Sequence, residues 1–466
     1  MTAMNTGPLE RIVAAHARRV PRGLGIRRTE YERRWASVQK AMAARGYDLA
    51  YACGSELDRS DAAWLAGIFD PMIERYGVLV PAHGRPVALA GSEGGHVIEE
   101  SLAASGAGLA LLREFQISDE DYRFAAFERL EDVAARLAPK RGARPLRVAI
   151  LSSSQVIPHD HVLLFQGRFG ADNVVFDPGL LRLLKYEKSE TELDILGAAA
   201  AVADAAFLGM LSALRPGVRE LDVAAAGDYV MKRLGARRTG FPTIVTSGPR
   251  GRTVLGPATN RTIRKGEFVS LGLSPTFNGY HGVVRRTVKV GAPRTFPEDM
   301  FMASLEGLYR AVMNAVAEAA RKSLPAKSVD AGGKAYLAGL KLKDRKGRRT
   351  TPREPYTFIH NTGCSECQEG YGAVTPWSES PFGRNAGLMI DVALLGFDGA
   401  GRLVFPVEYA VIEDAFWKIG KAVGVYNRLP LDVQDFVGRE VPDIPQNRIN
   451  PYHRPIARGP APRRNS

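Results

Sequence analysis

The sequence predicts two domains, an N-terminal α/β layer followed by a C-terminal α+β domain. Its 466 residues are too many for one hydrophobic core. Helical and extended apolar patterns alternate through the first part of the chain, which favours an α/β layer with a mostly parallel sheet. The pattern then changes to two tandem units, each a pair of helices with a pair of strands. We therefore expect domains over residues 28–185 and 186–440.

The predicted elements of the N-terminal domain follow from apolar spacing. Tyr31, Trp35, Val38 and Met42 recur at helical intervals, whereas LAYACG is a continuous apolar run typical of a buried strand. In chain order we predict a helix over 28–46, strands over 49–54, 76–80 and 86–91, a helix over 127–138 and a strand over 146–152.

The second domain opens with a helix start signal. Ser189 is followed three residues later by Glu192, the spacing of a capping box. From there we predict helices over 189–213, 219–234, 297–322 and 328–340, with strand pairs at 268–273 with 279–290 and at 387–396 with 402–412. Residues 1–27 are predicted to be a disordered leader, and residues 441–466 an extended basic, Pro-rich tail.

Composition excludes several classes of protein. No apolar run approaches the ~18 residues of a membrane span, and the first residues lack the apolar core of a secretory signal. Three cysteines cannot form a disulfide framework, which favours a reducing cytoplasm. The net charge of +13 is spread along the chain, and no basic motif interleaved with aromatic residues is present, so we expect no nucleic-acid partner and no membrane partner.

Three segments carry a resemblance to a known family. They are KGEFVSLGLSPTFNGYHGVVRRTVKVG at 265–291, the phrase with Lys188, Ser189 and Glu192, and VEYAVIED at 407–414. Together they resemble creatinase, aminopeptidase P, prolidase and methionine aminopeptidase. The resemblance implies a creatinase-type N-terminal domain, a C-terminal domain of the pita-bread fold, and a homodimer.

The metallopeptidases of this family bind two metal ions with two aspartates, one histidine and two glutamates. The resemblance places Gly272, Val283, Cys364, Ala393 and Glu408 at those five positions. Hard oxygen ligands are what such a centre needs, and only Glu408 offers one. The two substrate-binding histidines correspond to Leu255 and Tyr371. We therefore expect no dinuclear metal centre and no cofactor.

Other polar residues lie where the site is expected. His281 and Arg285 follow the period-two alternation of Val283, so the three should share one face of the strand. We predict catalytic roles for His281, His360, Cys364, Tyr371 and Glu408. Substrate binding is predicted for Arg285, Glu366 and Glu369, and for Arg250 and Arg252 in the Gly-rich segment 247–252, where the family has a loop at the cavity mouth.

Several alternatives stay open at this stage. Cys364 and Cys367 could bind one zinc ion with His281 and His360, or Cys364 could be a nucleophile. Each cysteine could equally be a small apolar filler. Asp58, Arg59 and Asp61 could reach a neighbouring subunit's site or form a helix cap with surface ion pairs.

The leading functional hypothesis is a metal-independent, creatinase-like hydrolase or lyase. It would act on a C–N bond of a small polar, anionic molecule by acid–base catalysis, with His281 and Glu408 exchanging the proton. One alternative is a metallopeptidase of the Xaa-Pro aminopeptidase or prolidase type. The other is a non-catalytic binding protein on an inactive peptidase scaffold.

Overall fold

The protein is described by a computed structural model that covers residues 6–55, 58–70, 74–117, 125–139, 144–367, 369–370 and 372–456. Among these residues the chain divides into two compact units. The small unit comprises Leu24–Glu187 and Gly363–Gly370. The large unit comprises Met1–Gly23, Lys188–Thr362 and Tyr371–Ser466.

Six helices and a six-stranded sheet build the small unit. The strands are β1 (Leu49–Gly54), β2 (Tyr76–Pro81), β3 (Val87–Ala90), β4 (Gly108–Leu111), β5 (Val148–Ile150) and β6 (Val174–Phe176), in the order β4-β3-β2-β1-β5-β6. The helices, numbered α2 to α7 because α1 belongs to the large unit, are Arg28–Arg45, Ser60–Ala66, Ser92–Ser105, Leu130–Leu137, His159–Phe169 and Pro178–Tyr186. Strands β1–β5, β5–β6 and β3–β4 pair in parallel, and the β1–β2–β3 meander is antiparallel.

The described part of the large unit contains five α-helices, namely α1 (Gly7–His16), α8 (Glu190–Ala213), α9 (Glu220–Arg233), α10 (Phe296–Lys322) and α11 (Lys327–Gly339). Its main strands are β8 (Ile244–Ser247), β9 (Phe268–Leu273), β12 (Val284–Lys289), β15 (Ile359–Asn361), β16 (Asn385–Leu395), β17 (Tyr409–Ile419) and β18 (Ala422–Val425). Six of them form the antiparallel order β15-β16-β17-β12-β9-β8, and β18 pairs with β17.

Short strands complete the large unit. Strands β7 (Arg238–Thr239), β10 (Pro275–Phe277) and β11 (Tyr280–His281) form a separate three-stranded sheet, and β13 (Leu342–Lys343) pairs with β14 (Arg349–Thr350). The predicted capping box begins α8: the Ser189 hydroxyl accepts from Glu192 N at 3.2 Å, and Ser189 N donates to Glu192 Oε2 at 2.8 Å.

Helix α8 is long and apolar enough to cross a membrane by length and composition alone. Most of this apolar stretch is nevertheless buried inside the protein, which is typical of a core helix. Nearly every residue from Leu193 to Leu211 is covered by neighbouring elements.

The described parts of the predicted leader and tail are more ordered than the sequence suggests. The predicted leader contains helix α1, whose Leu9 and Ile12 are buried, so disorder over the whole of 1–27 is wrong. The predicted tail is also structured as far as Ile456, and Asn450 is buried with its amide donating to Asp414 at 3.0 Å. Each segment has enough apolar or hydrogen-bonded contact to offset the entropy of ordering it.

Candidate functional site

A buried arginine lies at the centre of the candidate site. On β12, Arg285 is paired with Gly272 of β9 on one side and with Glu413 of β17 on the other. Asp391 of β16 is in turn paired with Glu413. Directly paired residues share a face of the sheet, so the two carboxylates and the guanidinium meet above three adjacent strands.

The guanidinium contacts both carboxylates at long range. Arg285 Nη1 lies 3.4 Å from Asp391 Oδ2 and 3.5 Å from Glu413 Oε2. His360 Nε2 lies 3.6 Å from Glu413 Oε1 on the far side. The arginine side chain is 1% exposed and that of Glu413 is 3% exposed, so water screens these charges little.

Two tyrosines close the arginine's other side. Arg285 Nη2 donates to the Tyr409 hydroxyl at 2.7 Å, the two tyrosine hydroxyls are 2.8 Å apart, and Tyr356 donates to Asp391 Oδ1 at 2.9 Å. Burial raises the pKa of both tyrosines, so both hydroxyls keep their protons at neutral pH. His360 and Tyr356 are only half-buried, which gives the cluster an accessible side.

A strained turn supplies one more contact. Val254 has φ 61° and ψ −54°, and Leu255 N donates to Thr253 O across it at 2.6 Å, which defines a γ-turn of the rarer hand. The carbonyl oxygen of Val254 accepts a hydrogen bond from Arg285 Nη2 at 2.9 Å. The conformation is costly for a β-branched residue, and strain of this kind is concentrated at functional sites.

The pKa of Asp391 is raised to about 7, first by burial and then by the neighbouring charge of Glu413, against the opposing effect of Arg285. A carboxyl with that pKa is partly protonated near neutral pH. It can therefore both hold and release a proton under ordinary conditions, as acid–base catalysis requires.

The neighbouring arginine provides an internal comparison. Arg286 Nη2 donates to Asp414 at 2.9 and 3.0 Å, and its other nitrogens donate to backbone carbonyls, among them Pro430 O at 2.9 Å. In contrast, Arg285 Nε and Glu413 Oε2 are buried without a hydrogen-bond partner among the described residues. Arg286 is thus a satisfied structural residue, whereas Arg285 and Glu413 leave polar atoms available to a ligand.

The residues of the family's metal positions do not fit a dinuclear centre. Gly272, Val283 and Ala393 have no donor atom, and Val283 packs among Ala200, Met389 and Ala415. Ligand atoms of His360, Asp391 and Glu413 do lie within 4.8 Å of one another, close enough for one ion. The Arg285 guanidinium already places a positive charge against both carboxylates, however, and would repel that ion.

The sequence prediction for Glu408 is wrong in register. Strand β17 begins at Tyr409, later than predicted, so Glu408 precedes it and pairs with Arg252 at 3.3 Å. Glu413 takes the place predicted for Glu408. The sequence does not indicate the register of this strand, because residues 409 to 418 are all buried and show no alternation of polar and apolar side chains.

The two loop arginines are already engaged. Arg250 forms an ion pair with the fully buried Glu220, which also accepts from Ser247 N at 2.9 Å. Arg252 is held by Glu408 and by the carbonyl of Gly401 at 3.0 Å. Neither guanidinium is therefore free to bind an anionic substrate, as the sequence analysis predicted for both residues.

His281 does not continue the strand of Arg285. It ends β11 in the three-stranded sheet, opposite Thr276, whereas Arg285 lies on β12 in the large sheet. Between them Gly282 passes close to α8, where an added Cβ would lie 2.3 Å from the carbonyl of Ala199. The expected alternation from 281 to 285 is therefore broken, and a catalytic role for His281 stays a prediction.

The segment 363–370 belongs to the small unit. Cys364 and Glu369 are buried there, Glu369 accepts from Ser365 N at 3.1 Å, and the Cys367 thiol donates to Glu366 at 2.7 Å. The histidines of the proposed zinc site belong to the large unit, and Tyr371 lies outside the described residues. The predicted roles of these residues stay predictions.

Asp61, suggested as a residue acting across subunits, has partners within its own unit. It pairs with the buried Lys185 at 2.8 Å and accepts from the Ser152 hydroxyl at 2.7 Å. Asp58 accepts from Ser60 N, at the first residue of α3, at 2.8 Å. These contacts agree with a structural role, but the Asp61–Lys185 pair is largely buried and is not the surface ion pair that the alternative expected.

Sequence reasoning missed four residues of the cluster, namely Tyr356, Asp391, Tyr409 and Glu413. A signal was present for two of them. Asp391 interrupts the apolar run GLMIDVALL, and Glu413 interrupts VIEDAFW. A charged residue inside a strand that is buried on both faces needs a partner, and Arg285 is the matching charge.

Comparison with known proteins agrees with the fold. The sequence model of metallopeptidase family M24 matches residues 194–370. The Xaa-Pro dipeptidase of Pyrococcus furiosus is 32% identical over 151 residues, which cover 32% of this chain and 42% of that protein. The probable dipeptidase PepE of Mycobacterium tuberculosis is 28% identical over 320 residues, or 68% of this chain and 72% of that protein.

A solved structure extends the match. The dipeptidase PepE from Mycobacterium ulcerans superposes with a TM-score of 0.64 at 21% identity, covering 88% of this chain and 99% of that one. At this identity the likeness establishes the pita-bread fold alone. The chain spans less than half the length of the Pyrococcus furiosus relative that it matches. Together with the sequence motifs, these matches support a relationship to the creatinase, aminopeptidase P and prolidase family.

Proposed function

We propose that this protein is a hydrolase or lyase that cleaves a C–N bond in a small polar molecule, without a dinuclear metal centre. The observation that carries the proposal is the Arg285 guanidinium between Asp391 and Glu413, at 3.4 and 3.5 Å. Arg285 is paired with Gly272, one of the positions that the resemblance assigns to the metal ligands. The names of the relatives supply the reaction class, since a dipeptidase hydrolyses a C–N bond.

Each residue of the cluster has a separate task in this proposal. Arg285 provides a fixed positive charge that stabilises negative charge developing on the substrate, because a charge held in a buried site needs no reorganisation. Asp391, with its pKa of about 7, exchanges the proton with the substrate. Glu413 keeps that pKa high through its own negative charge, and His360 orients Glu413 from 3.6 Å. These roles replace those predicted for His281 and Glu408.

The substrate's polar group would meet two atoms of the cluster that have no hydrogen bond within the described part of the chain. Arg285 Nε is a buried donor and Glu413 Oε2 a buried acceptor, and neither has a hydrogen-bond partner among the described residues. A ligand with an acceptor and a donor, such as an amide or a urea-like group, would satisfy both. A homodimer and a cytoplasmic location belong to the same proposal, and they rest on the resemblance and on the three cysteines.

Hydrolysis of Xaa-Pro dipeptides is the second candidate, because several relatives carry the name of dipeptidase. It requires metal ligands that Gly272, Val283 and Ala393 do not offer. A binding protein without catalysis is the third candidate. It would keep the cluster's affinity for small ligands but turn none of them over.

The test has two arms. In the first, purified protein is incubated with Xaa-Pro dipeptides, with added Mn²⁺ or Co²⁺ and with chelator. In the second, small amides, ureido acids and guanidino acids are screened by thermal shift, and every ligand found is assayed for turnover. We expect turnover in the second arm that chelator leaves unchanged. Metal-dependent dipeptide hydrolysis would refute the proposal, and ligand binding without any turnover would favour the binding protein.

A further inference from the structure

A second cavity lies in the large unit, built by residues outside the Arg285 cluster. Its volume is about 690 Å³, within the range of small-molecule sites. Its walls come from three places in the chain: the turn after α1, one face of α8, and the C-terminal segment from 426 to 456. Most of this lining lies outside residues 194–370, the part that matches the family's sequence model.

The face of α8 explains why the space is open. Asp194, Gly197, Ala201 and Asp204 recur at helical intervals and line the cavity. Gly197 and Ala201 are small, so no side chain fills the floor. The ring of Tyr426 packs beside Gly197, where an added Cβ would lie 3.4 Å from it.

The cavity's charge is positive. Arg18, Arg19, Arg428 and Arg454 line it, against Asp194, Asp204 and Asp443. Burial raises the pKa of Asp204 to about 8, so this carboxyl is largely neutral at neutral pH. The pKa of the lining His453 is lowered by burial, so its ring is neutral as well. Four positive charges then face two negative ones.

The arginines are not equally engaged with those acids. Asp443 accepts from Arg19 Nη2 at 2.7 Å and from Arg428 Nη1 at 3.2 Å. Arg454 donates only to backbone carbonyls, of Pro451 at 3.0 Å and His453 at 2.7 Å, among the contacts described. Arg18 is exposed and has no ion pair among the described residues. The guanidinium groups of Arg18 and Arg454 therefore have no acidic partner among the described residues.

We propose that this cavity is a second binding site, for a small molecule that carries a phosphate or dicarboxylate group. Arg18 and Arg454 would hold the anionic group by the forked hydrogen bonds that guanidinium makes to planar or tetrahedral oxyanions. The buried Arg428 would contribute its positive charge from below, and the floor at Ala201 would accept the rest of the ligand. This site is independent of the proposed function.

The experiment measures binding of inorganic phosphate and of succinate to the full-length protein by titration calorimetry. Sodium chloride at matched ionic strength separates specific binding from screening. We expect saturable binding of at least one probe. The double variant Arg18→Glu/Arg454→Glu should weaken it by about tenfold or more, because each charged hydrogen bond contributes substantially to affinity. The variant Ala201→Phe should weaken it by filling the floor.

Two controls fix the location of the bound anion. The variant Arg22→Glu/Arg321→Glu makes the same change in net charge at exposed residues outside the cavity lining, and should bind as the wild type does. Arg285→Lys alters the other cluster and should also leave this binding unchanged. Absence of saturable binding of both probes, equal binding by the cavity variants and wild type, or loss of binding in Arg285→Lys would each overturn the proposal. Preference for phosphate over succinate, or the reverse, identifies the anionic group.

Discussion

Gly272 makes room for Arg285. The two residues are directly paired between β9 and β12, and a Cβ added at residue 272 would lie 2.5 Å from Arg285 Cγ and 3.2 Å from its Cδ. The family's metallopeptidases have an aspartate at this position, as the resemblance implies. Loss of the carboxylate and gain of the arginine are therefore one coupled change, since any side chain at 272 would displace the guanidinium from its place between Asp391 and Glu413.

Gly272→Ala should destabilise the protein by about 1–3 kcal/mol, because the new methyl group overpacks against Arg285. In the double variant with Arg285→Ala the collision disappears, so the two effects should be far from additive. Urea unfolding of the four proteins measures this coupling. Gly23→Ala is the control, because a Cβ there meets nothing within 4 Å. Additive effects would show that the two side chains do not compete for the same space.

Asp391→Asn should flatten the dependence of stability on pH between about 4 and 7. The folded pKa of Asp391 is about 7, above its ordinary value of 3.8, so the folded protein binds the extra proton in this window. The contribution of Asp391 to the free energy of unfolding is therefore fully present below the pKa of this group in the unfolded chain. It is lost as pH rises through 7, by at most about 1.4 kcal/mol per pH unit. The asparagine cannot titrate. Unfolding curves at a series of pH values give the difference, and identical slopes for both proteins would contradict the raised pKa.

Arg285→Ala should create a site for one zinc ion. Removing the guanidinium leaves His360, Asp391 and Glu413 with ligand atoms within 4.8 Å of one another and no competing positive charge. Elemental analysis after dialysis against zinc should find about one equivalent of zinc in this variant. In the wild type, we expect no zinc bound by these three residues. Adding Glu413→Gln should remove the zinc again.

A separate control addresses the cysteine alternative. Zinc found in the wild type and lost in Cys364→Ser would support a Cys–His site instead. If Arg285→Ala binds no zinc, the three side chains are held apart by more than the arginine's charge, and the guanidinium is not a substitute for a metal ion.

Matched substitutions of Glu413 and Glu408 test which of the two glutamates takes part in catalysis. Once a substrate is found, Glu413→Gln should lower kcat, because it removes the negative charge that keeps the pKa of the proton-exchanging Asp391 high. Glu408→Gln should change kcat little, because Glu408 pairs with Arg252 in front of β17. His281→Ala completes the series. A large loss in His281→Ala with full activity in Glu413→Gln would return the proton transfer to the residue that the sequence favoured.

The sequence by itself determined the resemblance to the family, the two-domain order and the start of α8. These depend on local signals, namely the Ser189–Glu192 capping box, the apolar periodicity and the motif at 265–291. It also showed that Gly272, Val283 and Ala393 cannot bind a metal ion, because that conclusion requires only the chemistry of their side chains.

Only the tertiary structure decided which charges meet. Arg285 is 106 residues away in sequence from Asp391 and still further from Glu413, and a register shift in β17 separates Glu413 from Glu408. Strands buried on both faces show no polar alternation from which that register could be predicted. The break at Gly282, which removes His281 from the strand of Arg285, likewise arises from the close approach of α8, a contact between residues about eighty positions apart that no local pattern encodes.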